Sequence, residues 1–249
     1  MTASASPHTP RPPHRRRLYL MRHGAVSYFD GGGRPVLPEQ VSLNEQGRAQ
    51  AAAAGRHFAA EGVRFDRVIV SGLPRTVETA ALVLEHSGQS TLQPQVWPEF
   101  QEIRGGRLGE ISDTDLHEAF TGLHAGQLDE AQRFLQGESI GELLDRVLPA
   151  LARLRADPSW DCALLVLHGV VNAALISHAL SGGQRLMFGS IVQSPACINV
   201  LDVGSAAGDW LLRVSNFAPT GALHVEERHT TMEALLEQYL RYRSTRKSA

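Results

Sequence analysis

Three short apolar runs, far apart in the chain, constrain its fold most strongly. They are Leu18–Met21, Val68–Val70 and Ala163–Leu167. Continuous runs of this length are typical of strands that are buried on both faces of a parallel sheet. Segments with helical periodicity separate them, and strands that alternate with helices indicate a sheet covered on both sides. The sequence therefore predicts an α/β fold, a three-layer sandwich with a mainly parallel central sheet flanked by helices.

The remaining elements are predicted from periodicity and turn residues. Ser42 or Asn44 caps an alanine-rich helix that ends near Gly62, and Glu45 lies three residues after Ser42, a capping-box spacing. Further helices are predicted from Arg75 to about Gly88, from Ser139 to Leu154, over Val170–Leu180 and over Met232–Tyr242, with two short ones between Ser112 and Leu135. Two more strands are predicted at Ile198–Leu201 and Trp210–Val214.

Composition excludes several classes of protein. The chain has 249 residues, 43% of them hydrophobic, and 24 basic against 26 acidic residues give a formal net charge of −2. This balance is ordinary for a folded protein and argues against bulk electrostatic binding to nucleic acid or an anionic membrane. Apolar stretches are shorter than the roughly 20 residues that a membrane helix needs. Cys162 and Cys197 are far apart and support neither a disulfide framework nor a zinc ribbon, so we expect a cytoplasmic protein.

The first residues differ in composition from the rest. Residues 1–17 contain four prolines and the run Arg15–Arg17, with no acidic residue. We predict a disordered, solvated tail here, although the arginines would also suit a small anion patch. Residues 18–249 are predicted to form a single domain, in which residues 105–136 are an insertion on the substrate side of the sheet.

Basic residues follow the three predicted strands. Arg22 and His23 come directly after the first run, Arg75 opens the helix after the second, and His168 follows the third. Because parallel strands end at the same edge of a sheet, these side chains are expected to lie close together. Arginine forks match the paired oxygens of a phosphoryl group, and a helix N-terminus at Leu73–Arg75 favours negative charge. The sequence therefore predicts a small anion pocket.

Arg22-His23-Gly24 is also the first of five blocks that occur in order along the chain. The others are Leu43–Ala51, Ser71–Ala80, Glu102–Gly106 and Leu167–Val171. Together they resemble the motifs of the histidine phosphatase superfamily, whose members include the cofactor-dependent phosphoglycerate mutases. The ten-residue block around Arg75 is a strong signal, whereas R-H-G alone is a weak one. The resemblance covers roughly residues 18–177 and implies a phosphoglycerate mutase-like fold.

The resemblance implies three catalytic residues. His23 would be the nucleophile that forms a phosphohistidine, and His168 would stabilise charge on the phosphoryl oxygens. Glu102 would protonate the leaving alkoxide and then help to deprotonate the attacking water. Since Glu102 has to carry a proton at the working pH, we expect a rate optimum on the acidic side. A surface ion pair of Glu102 with Arg104 or Arg107 is the alternative interpretation.

Four further residues are predicted to bind the phosphate of the substrate. Arg22 and Arg75 would hold its equatorial oxygens, and Asn44 and Gly169 are additional candidate contacts. Asn44 also suits a helix cap.

Two departures from the family pattern affect substrate binding. After R-H-G the family often has an acidic residue, a polar residue and then Trp-Asn, whereas this chain has Ala25–Phe29, so Phe29 replaces a usual asparagine contact. Leu108 stands where a tryptophan is common. We expect specificity to come from residues 105–136 and from Ser27–Gly33.

Gly137–Gly141 fits G-x-S-x-G, the elbow of serine hydrolases. That elbow needs a strand before the serine, but the preceding residues are predicted to be helical. Ser139 and Glu142 have capping-box spacing, so Ser139 is predicted to be a helix cap. Metal-ligand spacings such as C-x-x-C or H-x-x-x-H do not occur, and we expect neither a metal nor a cofactor.

The sequence thus predicts a metal-independent phosphatase that hydrolyses small phosphomonoesters through phospho-His23. Its partner would be a small phosphorylated metabolite, with no nucleic acid and no membrane. The oligomeric state is open, a homodimer being one possibility. Two alternatives stay open: a phosphoglycerate mutase-type phosphoryl transfer, and a catalytically weak phosphate-binding regulatory protein.

Overall fold

The computed structural model describes residues 14–124, 126–225 and 228–247. Its strands are β1 (Arg16–Arg22), β2 (Arg67–Val70), β3 (Gln95–Val96), β4 (Gln127–Leu128), β5 (Cys162–Leu167), β6 (Met187–Phe188), β7 (Ile198–Val203) and β8 (Trp210–Phe217). Its α-helices are α1 (Glu45–Ala60), α2 (Pro74–His86), α3 (Leu116–Thr121), α4 (Ile140–Ala156), α5 (Gly169–Leu180) and α6 (Thr231–Lys247). Among these helices, none is long and apolar enough to cross a membrane.

The central sheet has six strands in the order β3-β2-β5-β1-β7-β8. The first four of these are mutually parallel, whereas β7 runs antiparallel to β1 and β8 antiparallel to β7. β1 lies beside β5, and β5 beside β2, although long stretches of chain separate them. The three apolar runs that the sequence singles out are therefore neighbours at the middle of the sheet, as predicted.

Helices cover both faces of this sheet. In β1 the side chains alternate, so that Leu18 and Leu20 join the core under α4 and α5, whereas Tyr19 and Met21 join the core under α1 and α2. This period of two is what an extended strand dictates, and burial on both sides explains why the strands are continuously apolar. The predicted three-layer α/β sandwich is confirmed.

The start of the first strand differs from the prediction. β1 begins at Arg16, two residues before the apolar run. Arg15 pairs with Asp209 at 2.7 Å, Arg17 Nε donates to Asp202 at 2.9 Å, and the Arg16 guanidinium lies over the ring of Trp160 at 4.1 Å. Arg15–Arg17 therefore pack against the folded domain and are not part of a solvated tail. The rest of the predicted tail, residues 1–13, lies outside the described residues.

The predicted insertion is less helical than expected. Between Ser112 and Leu135 the described residues hold one α-helix, α3, and a short strand, β4, that pairs with β6. α3 packs against α6 in a small separate core cluster that includes Phe120, Leu236 and Tyr239. The insertion and the C-terminal helix therefore support each other.

Candidate active site

The ends of β1 and β5 bring the two predicted histidines together. Arg22 is in register with Leu167, and the backbone N–H of His23 donates to the Leu167 carbonyl at 3.0 Å. His23 and His168 consequently lie side by side, with ring centroids 5.3 Å apart, and both are buried.

The hydrogen bond of His23 defines its tautomer. Nδ1 of His23 lies 2.8 Å from the carbonyl oxygen of Gly24, which can only accept, so Nδ1 carries the proton. Nε2 then holds the lone pair and is the nitrogen that can react. Burial, together with the charges of Arg22 and Arg75, lowers the pKa of His23 well below its usual value. The imidazole therefore remains a neutral nucleophile into the acidic range.

Close backbone packing fixes the loop that follows His23. A Cβ on Gly24 would clash with the carbonyl oxygen of Gly47, and one on Gly47 would clash with that of Ala25. Gln50 accepts from the N–H of Ala25 at 2.9 Å, and Thr79 from that of Gly24 at 3.1 Å. Residues of three sequence blocks thus pack together and hold the backbone around the nucleophile in place.

Three buried donors near His23 have no hydrogen-bond partner within the described chain. They are Nε of Arg22, Nε of Arg75 and Nδ1 of His168. Arg75 is only 2% exposed, and one of its other nitrogens donates to the Pro38 carbonyl at 2.6 Å. Buried polar groups are normally paired, so this cluster fits an anion with several acceptor oxygens.

A hydroxyl chain supports His168. Its Nε2 lies 2.8 Å from Ser71 Oγ, which lies 3.1 Å from Thr76 Oγ1, and that hydroxyl donates to the Leu73 carbonyl at 2.8 Å. Because the Thr76 hydrogen is on the Leu73 carbonyl, the single hydrogen of Ser71 goes either to Thr76 or to Nε2, and the shorter contact favours Nε2. The proton of neutral His168 is then on Nδ1, which can donate to a phosphoryl oxygen. Burial lowers the pKa of His168 well below its usual value, with further contributions from His23, Arg75 and Arg22.

Glu102 reaches the same end of the sheet. Its carboxylate accepts from the N–H of Ile103 at 3.0 Å and from that of Val170 at 3.2 Å, in the first turn of α5. That turn starts directly after His168, so Glu102 lies at the edge of the pocket. Within the described structure Glu102 forms no ion pair with Arg104 or Arg107, and the latter pairs with Glu110 instead.

A half-buried ion pair holds the loop that carries Glu102, and the sequence analysis missed it. Arg146 in α4 pairs with Glu138 at 2.7 Å and donates to the backbone carbonyls of Glu99, Gln101 and Glu102 at 2.7, 2.6 and 3.2 Å. Glu138 also accepts from the N–H of Arg104 at 2.9 Å. Arg146 lies 44 residues from Glu102 in a helix, and no local motif marks it.

The two remaining candidates lie at the rim. Asn44 caps α1, with its Oδ1 accepting from Gly47 at 2.8 Å, and its Nδ2 lies 3.5 Å from Ser27 Oγ. Gly169 begins α5, and a Cβ there would lie 3.5 Å from Arg22 Nε. The structure thus places Gly169 beside Arg22, and it places Asn44 at the N-cap of α1. That either binds phosphate stays a prediction.

The pocket opens into a cavity of ≈ 310 Å³. It is lined by Arg22, His23, Gly24, Ala25, Val26, Ser27, Tyr28, Phe29, Pro195, Thr231, Ala234, Leu235 and Gln238. Residues 27–29 line it as expected, but none of the described residues of 105–136 does. The insertion packs against α6, which lines the cavity, and that the insertion contacts substrate stays a prediction.

The serine of the G-x-S-x-G sequence has a structural role. Ser139 Oγ accepts from the N–H of Glu142 at 3.1 Å, and the Glu142 carboxylate accepts from the N–H of Ser139 at 2.7 Å. This capping box begins α4, as predicted. Among the described residues, no group of three or more His, Cys, Asp or Glu side chains is placed to hold a metal ion.

The fold and the site together define a parallel α/β sandwich with a histidine and two arginines at the strand ends. The family model of the histidine phosphatase superfamily, branch 1, matches residues 18–216. The chain belongs to the histidine phosphatase superfamily.

Its relatives include both phosphatases and mutases. A broad-specificity phosphatase of Saccharomyces cerevisiae is 29% identical over 171 residues, which are 65% of this chain and 65% of the yeast protein. A 2,3-bisphosphoglycerate-dependent phosphoglycerate mutase of Methylobacterium sp. is 34% identical over 173 residues, covering 65% of this chain and 79% of the mutase. The match thus spans just under two thirds of the yeast phosphatase.

Solved structures resemble the chain over most of its length. A mycobacterial glucosyl-3-phosphoglycerate phosphatase has a TM-score of 0.63 at 26% identity, covering 81% of this chain and 99% of that one. The α-ribazole phosphatase of Shigella flexneri has a TM-score of 0.59 at 25% identity, covering 80% of this chain and 96% of that one. The predicted phosphoglycerate mutase-like fold is confirmed.

Proposed function

We propose that this chain is a metal-independent phosphatase of small phosphomonoesters, with His23 as its nucleophile. The observation that carries the proposal is the free Nε2 of a neutral, buried His23 beside three buried donors without a partner in the described chain. Arg22 and Arg75 supply the positive charge that would stabilise the transferring phosphoryl group. The similarity to the yeast phosphatase supports the same activity.

The first step transfers the phosphoryl group to His23. Nε2 attacks phosphorus in line with the ester oxygen, the N–P bond forms as the P–O bond breaks, and Glu102 donates its proton to the leaving alkoxide. The oxygens of the phosphoryl group lie against Arg22, Arg75 and His168 throughout.

The second step releases inorganic phosphate. A water molecule takes the place of the alcohol and attacks phosphorus, the Glu102 carboxylate accepts its proton, and the N–P bond breaks. His23 is thereby restored with its proton still on Nδ1, held by the Gly24 carbonyl.

Hydrolysis of p-nitrophenyl phosphate in excess chelator, at pH values from about 5 to 8, tests this activity. Turnover by the wild type should persist, and His23→Ala should lose at least about a thousandfold in rate. His117→Ala, on the exposed surface of α3, is the matched control and should keep full activity. Turnover that needs a metal, or that survives in His23→Ala, would overturn the proposal.

The alternatives give different results in the same assay. A mutase would need bisphosphoglycerate to show its activity and would retain the bisphosphorylated intermediate. A phosphate-binding protein would bind phosphate esters in calorimetry without turnover. The chain keeps all four residues that the proposed transfer needs: Arg22, His23, Arg75 and His168. A protein that only binds phosphate would be expected to lack at least one of them, so their presence favours turnover.

A further inference from the structure

The cavity above His23 has two walls from distant parts of the chain. One wall is Ser27–Phe29, in the loop after β1, and the other is one face of α6. That face consists of Thr231, Ala234, Leu235 and Gln238, whose spacing of three and four residues places them side by side on a helix. An ester whose phosphate lies at His23 therefore has its alcohol between these walls.

The C-terminal helix is a fixed wall. Its first turn is closed by a capping box, in which Thr230 and Glu233 exchange hydrogen bonds of 2.6 and 3.2 Å. Thr231 accepts a hydrogen bond from Arg22 at 3.0 Å, which ties the helix to the phosphate pocket. The adjacent face is anchored by Leu236 and Tyr239, which are buried against the insertion.

The walls carry no charge that could balance an anionic alcohol. Of the described residues that line the cavity, Arg22 alone is permanently charged, and it belongs to the phosphate pocket. Other arginines of neighbouring loops pair with carboxylates or lie outside the cavity. Two of them form ion pairs, Arg34 with Asp30 and Arg107 with Glu110. Arg104 lines a separate surface cleft, and Arg228 is exposed and does not line the cavity.

The walls instead offer neutral hydrogen-bonding groups beside apolar surface. Ser27 and Tyr28 contribute hydroxyls, and Phe29 and Leu235 contribute apolar area. Gln238 is exposed at the mouth of the cavity and its amide makes no hydrogen bond within the described chain, so both its donor and its acceptor groups are available to a ligand.

We propose that the natural substrate is the phosphate ester of an uncharged, hydroxyl-bearing alcohol, and that Gln238 is a specificity-determining residue that binds this alcohol. The proposal rests on the phosphatase function proposed above. A second phosphate or a carboxylate on the alcohol would find no counter-charge on these walls, so such esters gain no ion pair there. A hydroxyl group would find partners in Gln238, Ser27 and Tyr28.

A matched pair of esters tests the substrate class. Glycerol 3-phosphate and 3-phosphoglycerate share a three-carbon skeleton, and the second carries a carboxylate where the first has a hydroxymethyl group. We expect the wild type to have a kcat/KM at least about tenfold higher for glycerol 3-phosphate. Equal values, or a preference for 3-phosphoglycerate, would overturn the proposal.

A charge placed on the wall tests the assignment of Gln238. Gln238→Arg should shift the ratio of the two kcat/KM values about tenfold towards 3-phosphoglycerate, because the new guanidinium pairs with the carboxylate. Leu240→Arg adds the same charge to α6 at an exposed position outside the cavity and should leave the ratio unchanged. An equal shift in both variants would show a general charge effect and overturn the role of Gln238.

Hydrolysis of p-nitrophenyl phosphate separates failure of this inference from failure of the proposed function. An enzyme that hydrolyses it but prefers 3-phosphoglycerate is a phosphatase with a different substrate class. A wild type that hydrolyses none of the three esters contradicts the phosphatase function, and the substrate class is then wrong with it.

Discussion

Arg146 and Glu138 form a half-buried ion pair, with Nε and Oε1 2.7 Å apart, and Arg146 holds the backbone around the candidate acid Glu102. Arg146→Met should lower kcat/KM for alkyl phosphates about tenfold more than for p-nitrophenyl phosphate, because p-nitrophenolate leaves without a proton. Glu138 would then remain unpaired, so the free energy of unfolding should fall by about 1–2 kcal/mol, less than for a fully buried pair because solvent reaches the carboxylate.

The double variant Arg146→Met/Glu138→Met separates position from stability. Removing both partners should recover much of the free energy of unfolding. The selective loss on alkyl phosphates should remain, because the carbonyl contacts to the loop are still missing. Equal losses on both kinds of ester would show that Arg146 does not act through Glu102.

Glu102→Gln should show the same selectivity in a stronger form. Loss of the general acid should lower kcat/KM for glycerol 3-phosphate about 10²- to 10⁴-fold, and that for p-nitrophenyl phosphate much less. Glu99→Gln, three residues earlier in the same loop, is the matched control, since Glu99 pairs with Arg153 at the surface. If both esters lose rate equally, Glu102 is not the proton donor.

Ser71→Ala should weaken the part that His168 plays in phosphate binding. Without the Ser71 hydroxyl at 2.8 Å, the proton of His168 is no longer held on Nδ1, and we expect kcat/KM to fall about fivefold to tenfold. The loss should be independent of pH between about 5 and 8, because burial and the nearby charges keep His168 neutral over this range. Ser87→Ala, also buried, is the control. An equal loss in Ser87→Ala would contradict the assignment.

The free energy of unfolding should fall as the pH drops below about 6.5, which is the usual pKa of histidine. The folded state keeps His23 and His168 neutral because burial lowers their pKa, whereas the unfolded chain binds protons on both. Above that pH the two states bind the same number of protons on these groups, so they add no slope.

Urea unfolding of the wild type and of His168→Gln, in buffer without phosphate, measures this effect. Each such histidine should add up to about 1.4 kcal/mol per pH unit to the slope, so His168→Gln should have the shallower dependence. Parallel curves would mean that His168 is protonated in the folded state.

The central sheet and its catalytic ends could be predicted because their signals are local. A strand buried on both faces must be continuously apolar, and His23 and His168 directly follow two such strands. The packing of Gly24 against Gly47 explains why separate blocks of sequence carry a recognisable pattern. Ser139 was identified as a cap from the same kind of local evidence.

Long-range partners could not be predicted. Arg17 looks like part of a basic tail until Asp202, 185 residues later, is seen beside it. Arg146 resembles any helix arginine, and the contact of Arg22 with Thr231 spans 209 residues. The cavity wall from α6 depends on such contacts, which is why the sequence did not identify α6 as part of the site.

Trapping the phosphoenzyme tests the central claim most directly. The enzyme would be mixed with an excess of p-nitrophenyl phosphate, quenched within milliseconds in alkali, where phosphohistidine survives, and digested for mass spectrometry. We predict one phosphoryl group, on the peptide that contains His23, lost on acid treatment and absent from His23→Ala. A phosphoryl group on another residue, or active turnover with no phosphoenzyme at any quench time, would contradict the account.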